Sequence, residues 1–174
     1  HDDVMAAVAA DLLLPNTGRI SGRPGKPRSH RWFTCAENIE HVAYHGLGGN
    51  NDTIIELRGF SKNGASTQTV VPPSMHPSGE LITWELDGKP MHFETSGMLR
   101  NAVRNVAIAV LLARAFPGPG HRHGPRLALA GYLYRAGVDP LEILAIGKAV
   151  MTLIGGDVQD WMDTARTTMA KLKS

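Results

Sequence analysis

The sequence predicts an α+β protein: a mixed or antiparallel sheet with flanking helices, followed by a small all-helical region. Three observations predict it. Residues 1–98 carry short β-branched runs broken by the turn signals Gly48-Gly49-Asn50-Asn51, Lys62-Asn63-Gly64 and Asp87-Gly88. From Leu99 the apolar spacing becomes helical, with Leu99, Val103, Val106, Val110 and Leu111 expected on one face. The charge changes at the same place: 8 basic against 11 acidic residues through Met98, net −3, and 10 against 5 from Leu99 onward, net +5. A linker at Glu94–Gly97 therefore divides a β-containing part, 1–97, from a helical part, 98–174.

A helix from about Val4 to Leu13 is expected first, ended by Pro15, which restricts the residue before it. Strands follow at Arg31–Ala36, Thr53–Arg58, Thr67–Val71 and Leu81–Leu86, where β-branched and aromatic residues concentrate. After the helix that opens near Leu99, three more run at Pro125–Arg135, Pro140–Ile154 and Val158–Leu172. Asp139 is placed to cap the second of these three with Pro140 at its first position, and Gly155-Gly156 to stop it. Met151, Met162 and Met169 have helical spacing and read as core.

Composition excludes several classes. With 43% hydrophobic residues the chain can build a core and is not disordered. Its one cysteine, Cys35, cannot form an internal disulfide or a cysteine zinc knuckle, so a reducing, cytoplasmic setting is expected. The longest apolar run, Val106–Ala113 between Arg104 and Arg114, is far short of the ~20 residues of a membrane span, so no membrane partner is expected. The chain begins His1-Asp2-Asp3 without Met and without a charged-then-apolar leader, which reads as a fragment boundary.

Local chemistry is concentrated in three segments. Between Arg19 and Arg31 stand five basic residues and no acid, and Gly22, Pro24, Gly25 and Pro27 are expected to make an extended loop presenting Arg23, Lys26 and Arg28 to phosphate before a strand starts near His30. Such a loop without counter-charge repels itself, and a polyanion would relieve it. On the Thr53–Arg58 strand, Glu56 and Arg58 alternate onto one face, either as a solvent-facing pair or as a metal ligand beside a triphosphate ligand. The Pro72-Pro73-Ser74-Met75-His76-Pro77-Ser78-Gly79 run is a stiff connection that offers Ser74, His76 and Ser78 as donors.

The order and spacing of the Arg28-Ser29-His30 segment, the Ile54–Gly59 carboxylate strand and the Pro-Pro-Ser-x-His-Pro-Ser-Gly loop resemble the bifunctional primase/polymerase domain of the archaeo-eukaryotic primase superfamily, of the kind found in plasmids, phages and integrated elements. The helical half, from Pro117 through Leu133, is similar to the helical region that follows this domain, often ahead of a helicase. The resemblance covers nearly the whole chain. It implies a primase-polymerase-type sheet and transfer of nucleotidyl groups from NTP or dNTP to a 3′-hydroxyl on a DNA template, with Mg²⁺ or Mn²⁺ as cofactor. It implies Glu56 as a metal ligand and catalytic carboxylate, and His30 as the histidine that contacts the incoming nucleotide. Arg23, Lys26, Arg28, Ser29, Arg58, Ser74 and His76 complete the expected nucleotide site.

Two features depart from the family pattern. Its first motif is an Asp-x-Asp or Asp-x-Glu pair shortly before the first helix. Asp2 and Asp3 are adjacent and on a strand would face opposite ways, so the pair is expected upstream of His1. In the family's Ser-x-His motif, Arg28 stands where the serine would be, with Ser29 one place later. Two further groups carry weaker signals. His121, Arg122 and His123, with Arg126, open a helix whose amide end suits a DNA phosphate, capping and packing being the alternative. His41 and His45 stand i, i+4, but without the glutamate of a zinc-protease motif they read as surface residues. The rival function is a non-catalytic DNA-binding or helicase-recruiting replication module.

Overall fold

A computed structural model describes residues 2–48, 52–60 and 67–173. The elements are α1 (Asp2–Leu13), β1 (Arg19–Arg23), β2 (Lys26–Arg31), β3 (Phe33–Cys35), β4 (Val42–His45), β5 (Thr53–Leu57), β6 (Ser74–Met75), β7 (Leu81–Asp87), β8 (Met91–Phe93), α2 (Ser96–Ala115), α3 (His123–Arg135), α4 (Pro140–Leu153) and α5 (Val158–Lys173). Strands β2-β1-β7-β6 form an antiparallel sheet, β4 and β5 an antiparallel pair, and β3 and β8 a parallel one. The fold is thus mixed α+β. Among the described residues, no helix is long and apolar enough to cross a membrane.

The segment expected as an extended basic loop is a β-hairpin: Arg23 pairs with Lys26 across Pro24-Gly25, and Ser21 with His30. Its prolines and glycines hid the strand from a composition-based reading. β2 lies at the sheet edge, where Pro27 costs no ladder hydrogen bond. The single strand expected over Arg31–Ala36 is divided at Trp32 into the end of β2 and β3. Thr67–Val71 is not a strand. It runs irregularly, Thr67 bonded to the Gly59 carbonyl, into Pro72-Pro73, which lack the N–H groups a ladder requires. Asp2 and Asp3 belong to the first turn of α1, not to a strand. Of the three turn signals, Asp87-Gly88 closes β7 with Gly88 N–H donating to Gly18 C=O, while Gly49–Asn51 and Lys62-Asn63-Gly64 lie outside the described residues.

The helices follow their sequence signals closely. Asp139 Oδ1 accepts from the Leu141 and Glu142 amides at 2.8 and 3.3 Å with Pro140 at the start of α4, and Gly155 adopts φ +60° just beyond its end. The start of α2 is held from a distance, by Glu37 accepting from the Ser96 amide and hydroxyl. Leu99, Val103, Val106 and Val110 are buried, whereas Leu111, about 100° further round, is 36% exposed. Met151 and Met169 are buried and Met162 packs against them in part.

The main core joins α1, through Ala9 and Ala10, to α2–α5 and to Ile54 of β5. A second cluster places Leu57 and Phe93 of the strands against Leu99 and Val103 of α2. Side chains from both sides of residue 97 therefore share both clusters. Within the helical layer, Trp161 lies flat over Gly147 and donates its indole N–H to the Leu144 carbonyl at 3.3 Å.

Candidate functional site

A cleft of about 920 Å³ opens between β2, β5 and the segments after β5 and β6. Arg23, Lys26, Arg28, Ser29 and His30 reach it from the β1–β2 hairpin, Glu56 and Arg58 from β5 and its end, and His76 from the proline-rich connection. Three segments that lie between Arg23 and His76 in sequence thus come together on one surface. Ser74 does not line the cleft; it pairs with Ile82 in the β6–β7 ladder.

Glu56 and Arg58 share a face, as strand alternation requires: Arg58 Nε–H donates to Glu56 Oε2 at 2.8 Å. Arg58 also reaches Thr69 Oγ1 at 3.1 Å and the Gln68 carbonyl, so it ties β5 to the irregular 67–71 segment. The other oxygen of Glu56 lies 3.5 Å from His41 Nε2. His41, expected as a surface residue, is half-buried, and its Nδ1 has no hydrogen-bond partner among the described residues. Its neighbour in the i, i+4 pair, His45, contacts Thr53 Oγ1 at 3.1 Å from β4.

Burial holds His30 below the usual imidazole range, and the positive charge of Arg58 and Lys26 lowers it further, against a smaller opposing effect of Glu56. The ring is therefore neutral near pH 7. Nδ1 of His76 lies 2.8 Å from the Ser78 hydroxyl and 3.1 Å from the Ser78 amide, which leaves Nε2 without a partner among these contacts.

The basic hairpin is not without counter-charge. Glu80 receives Arg23, the Gly25 amide and the Ser78 hydroxyl; Asp11 of α1 receives Arg28 and Arg31; and Glu85 receives the Arg28 amide. Hydrogen bonds from Ser78 and Gly25, and then Arg23, hold Glu80 below the usual carboxylate range. For Asp11 burial pushes upward, but the hydrogen bonds and charges of Arg31 and Arg28 together outweigh it and leave the group lowered. These acids lie 17 to 57 residues from the hairpin groups they receive, so no local pattern announces them. Arg28 adopts φ +52°, a left-handed conformation that an L side chain rarely takes, and it is clamped there at both its amide and its guanidinium.

The described residues do not by themselves make a two-cation centre. Among the described residues no three His, Cys, Asp or Glu side chains converge as a metal ion would need, and Glu56 is the one carboxylate lining the cleft. Both of its oxygens face cationic or imidazole partners. In the helical half, Arg122 donates to the Pro117 and Ile154 carbonyls, both at 3.1 Å, and Arg126 pairs with Asp160, while His123 stays exposed at the start of α3. Comparison with protein-family models, with curated proteins and with solved structures found no match.

Proposed function

We propose that the cleft binds the triphosphate of an NTP or dNTP, as the nucleotide site of a primase-polymerase of the plasmid, phage or integrated-element type. The observation that supports this reading is the convergence of His30, Arg58, His76 and the hairpin cations on one cleft from three separate segments. Guanidinium forks and imidazole N–H groups are donors to phosphate oxygens, and the planar Arg58, held by Glu56 and Thr69, is oriented before a ligand arrives. Mg²⁺ or Mn²⁺ would enter with the triphosphate. Nucleotidyl transfer to a 3′-hydroxyl on a DNA template requires more carboxylate oxygens than Glu56 supplies, so the described residues account for binding and not for transfer. DNA and a replicative helicase are the partners this reading carries, in the cytoplasm.

The rival reading, a non-catalytic DNA-binding or helicase-recruiting module, draws less support: Arg122 and Arg126 are bonded within the helical layer. Calorimetric titration of the purified chain with ATP and dATP decides between them. Binding is expected, weakened at least about tenfold by His30→Ala or Arg58→Ala, the scale of hydrogen bonds to a charged group. No heat at millimolar nucleotide, or equal affinity in both variants with unchanged circular dichroism, would overturn the reading.

A further inference from the structure

Trp32, immediately after β2, and Trp84 of β7 meet across β1 with ring centroids 5.7 Å apart and planes at 65°. On one side the line continues to His30, 6.2 Å from Trp32 with the planes at 30°; on the other, the Arg19 guanidinium lies 4.3 Å over the Trp84 ring. All four side chains are part-exposed, in contrast to Trp161, which is fully buried. Trp32 is also fixed in orientation, since its indole N–H donates to the buried Ser21 hydroxyl at 2.9 Å. His30 and Trp32 both line the cleft, so the strip begins there and leads out over the antiparallel sheet.

We propose that this strip is a stacking path for single-stranded nucleic acid, continuing from the phosphate cleft. An aromatic ring that serves only as core is fully enclosed, as Trp161 is; these four side chains stay part-exposed, with the Arg19 guanidinium over the Trp84 ring. Flat rings in a row beside phosphate-binding groups match a strand whose bases and phosphates alternate, and stacking on such rings is indifferent to base identity. The arginines near the strip are mostly ion-paired: Arg19 with Asp87 at 3.4 Å, Arg23 with Glu80, Arg28 and Arg31 with Asp11. Stacking rather than phosphate attraction then supplies most of the affinity, and the salt dependence is shallow for a nucleic-acid binder. The direction of the path rests on the nucleotide reading of the cleft; the strip itself does not.

The experiment is titration of the full chain with oligo(dT) and oligo(U), read by tryptophan fluorescence and repeated across salt concentrations. Quenching is expected, with Trp84→Ala weakening binding about tenfold or more and Trp84→Phe retaining most of it. If Trp84→Ala does not fold, Arg19→Ala carries the test, with about a two- to fivefold loss expected from the exposed cation over the ring. Preference for either oligonucleotide supports the strip and names the strand. Absence of binding, capture of a proline-rich peptide instead of either oligonucleotide, or unchanged affinity in the folded variants overturns it. Oligonucleotide bound through Trp84 by a chain that ignores nucleotides would sink the nucleotide reading alone; nucleotide binding with unaltered oligonucleotide affinity in the Trp84 variants would sink the strip alone.

Discussion

Burial and the like charges of Arg58 and Lys26 together favour a neutral His30 in the folded chain, and that preference has a consequence for stability. The unfolded chain takes up the proton near the ordinary value of about 6.5, the folded chain only at lower pH. Between those two values the unfolded state binds more protons, so stability present above about pH 6.5 is lost as pH falls through the depressed value. The urea midpoint is expected to drop between pH 7.5 and pH 5, and His30→Gln to reduce that drop; an identical pH profile in the variant would contradict the assignment. At this scale the sequence was informative where a residue's partners are close in the chain. The Glu56–Arg58 pair follows from alternation, and Asp139 from its place before Pro140. Asp11, Glu80 and His41 were not legible, because what makes them matter is a partner brought near only by folding.

The helices were the readable elements. Their apolar period, the Asp139 cap of α4 and its Gly155 stop lie within or beside the segment they define, so α2 to α5 depart from expectation by only a few residues at their ends. Strands take their partners from elsewhere: β1 joins β7 across more than sixty positions, and a hairpin built of Gly, Pro and Arg has the composition of a loop. A packing detail within the helices yields a prediction at this scale. At Gly147 a Cβ would stand 1.8 Å from Trp161 Cε2, and the indole, enclosed and bonded to Leu144, has no room to retreat. Gly147→Ala is therefore expected to destabilise by roughly 1–3 kcal/mol, as overpacking does, lowering the melting temperature by about 2–12 °C. An unchanged thermal melt would show that α4 and α5 can slide apart without cost.

Over the whole molecule, the two hydrophobic clusters set how the parts depend on each other. Ala9, Ala10 and Ile54 belong to the same cluster as the buried faces of α2, α4 and α5, and Leu57 and Phe93 close over Leu99 and Val103. A chain cut to residues 98–174 would leave those faces of α2 and α4 in water. It is expected to unfold at lower urea with a broader transition than the full chain, which should melt in one step by both far-ultraviolet dichroism and tryptophan emission. Two separate transitions in the full chain would instead indicate independent units. The change of texture near residue 97 was visible in the sequence, whereas the interlocking of the two halves was not, since it depends on which apolar residues meet.

The parallel pairing of β3 with β8 joins Phe33–Cys35 to Met91–Phe93. During synthesis from the amino terminus, residues 33–35 must wait for some sixty further residues before their partner strand exists. The β1–β2 hairpin can form early, but the sheet edge beside it stays open until β7 arrives, and the wall of the cleft closes late. Non-local pairing of this kind slows folding, and for that interval Trp32 and the basic hairpin lack the neighbouring strand. The four-stranded sheet thus lacks a central strand until β7 has been made, and α2–α5 follow it in the chain.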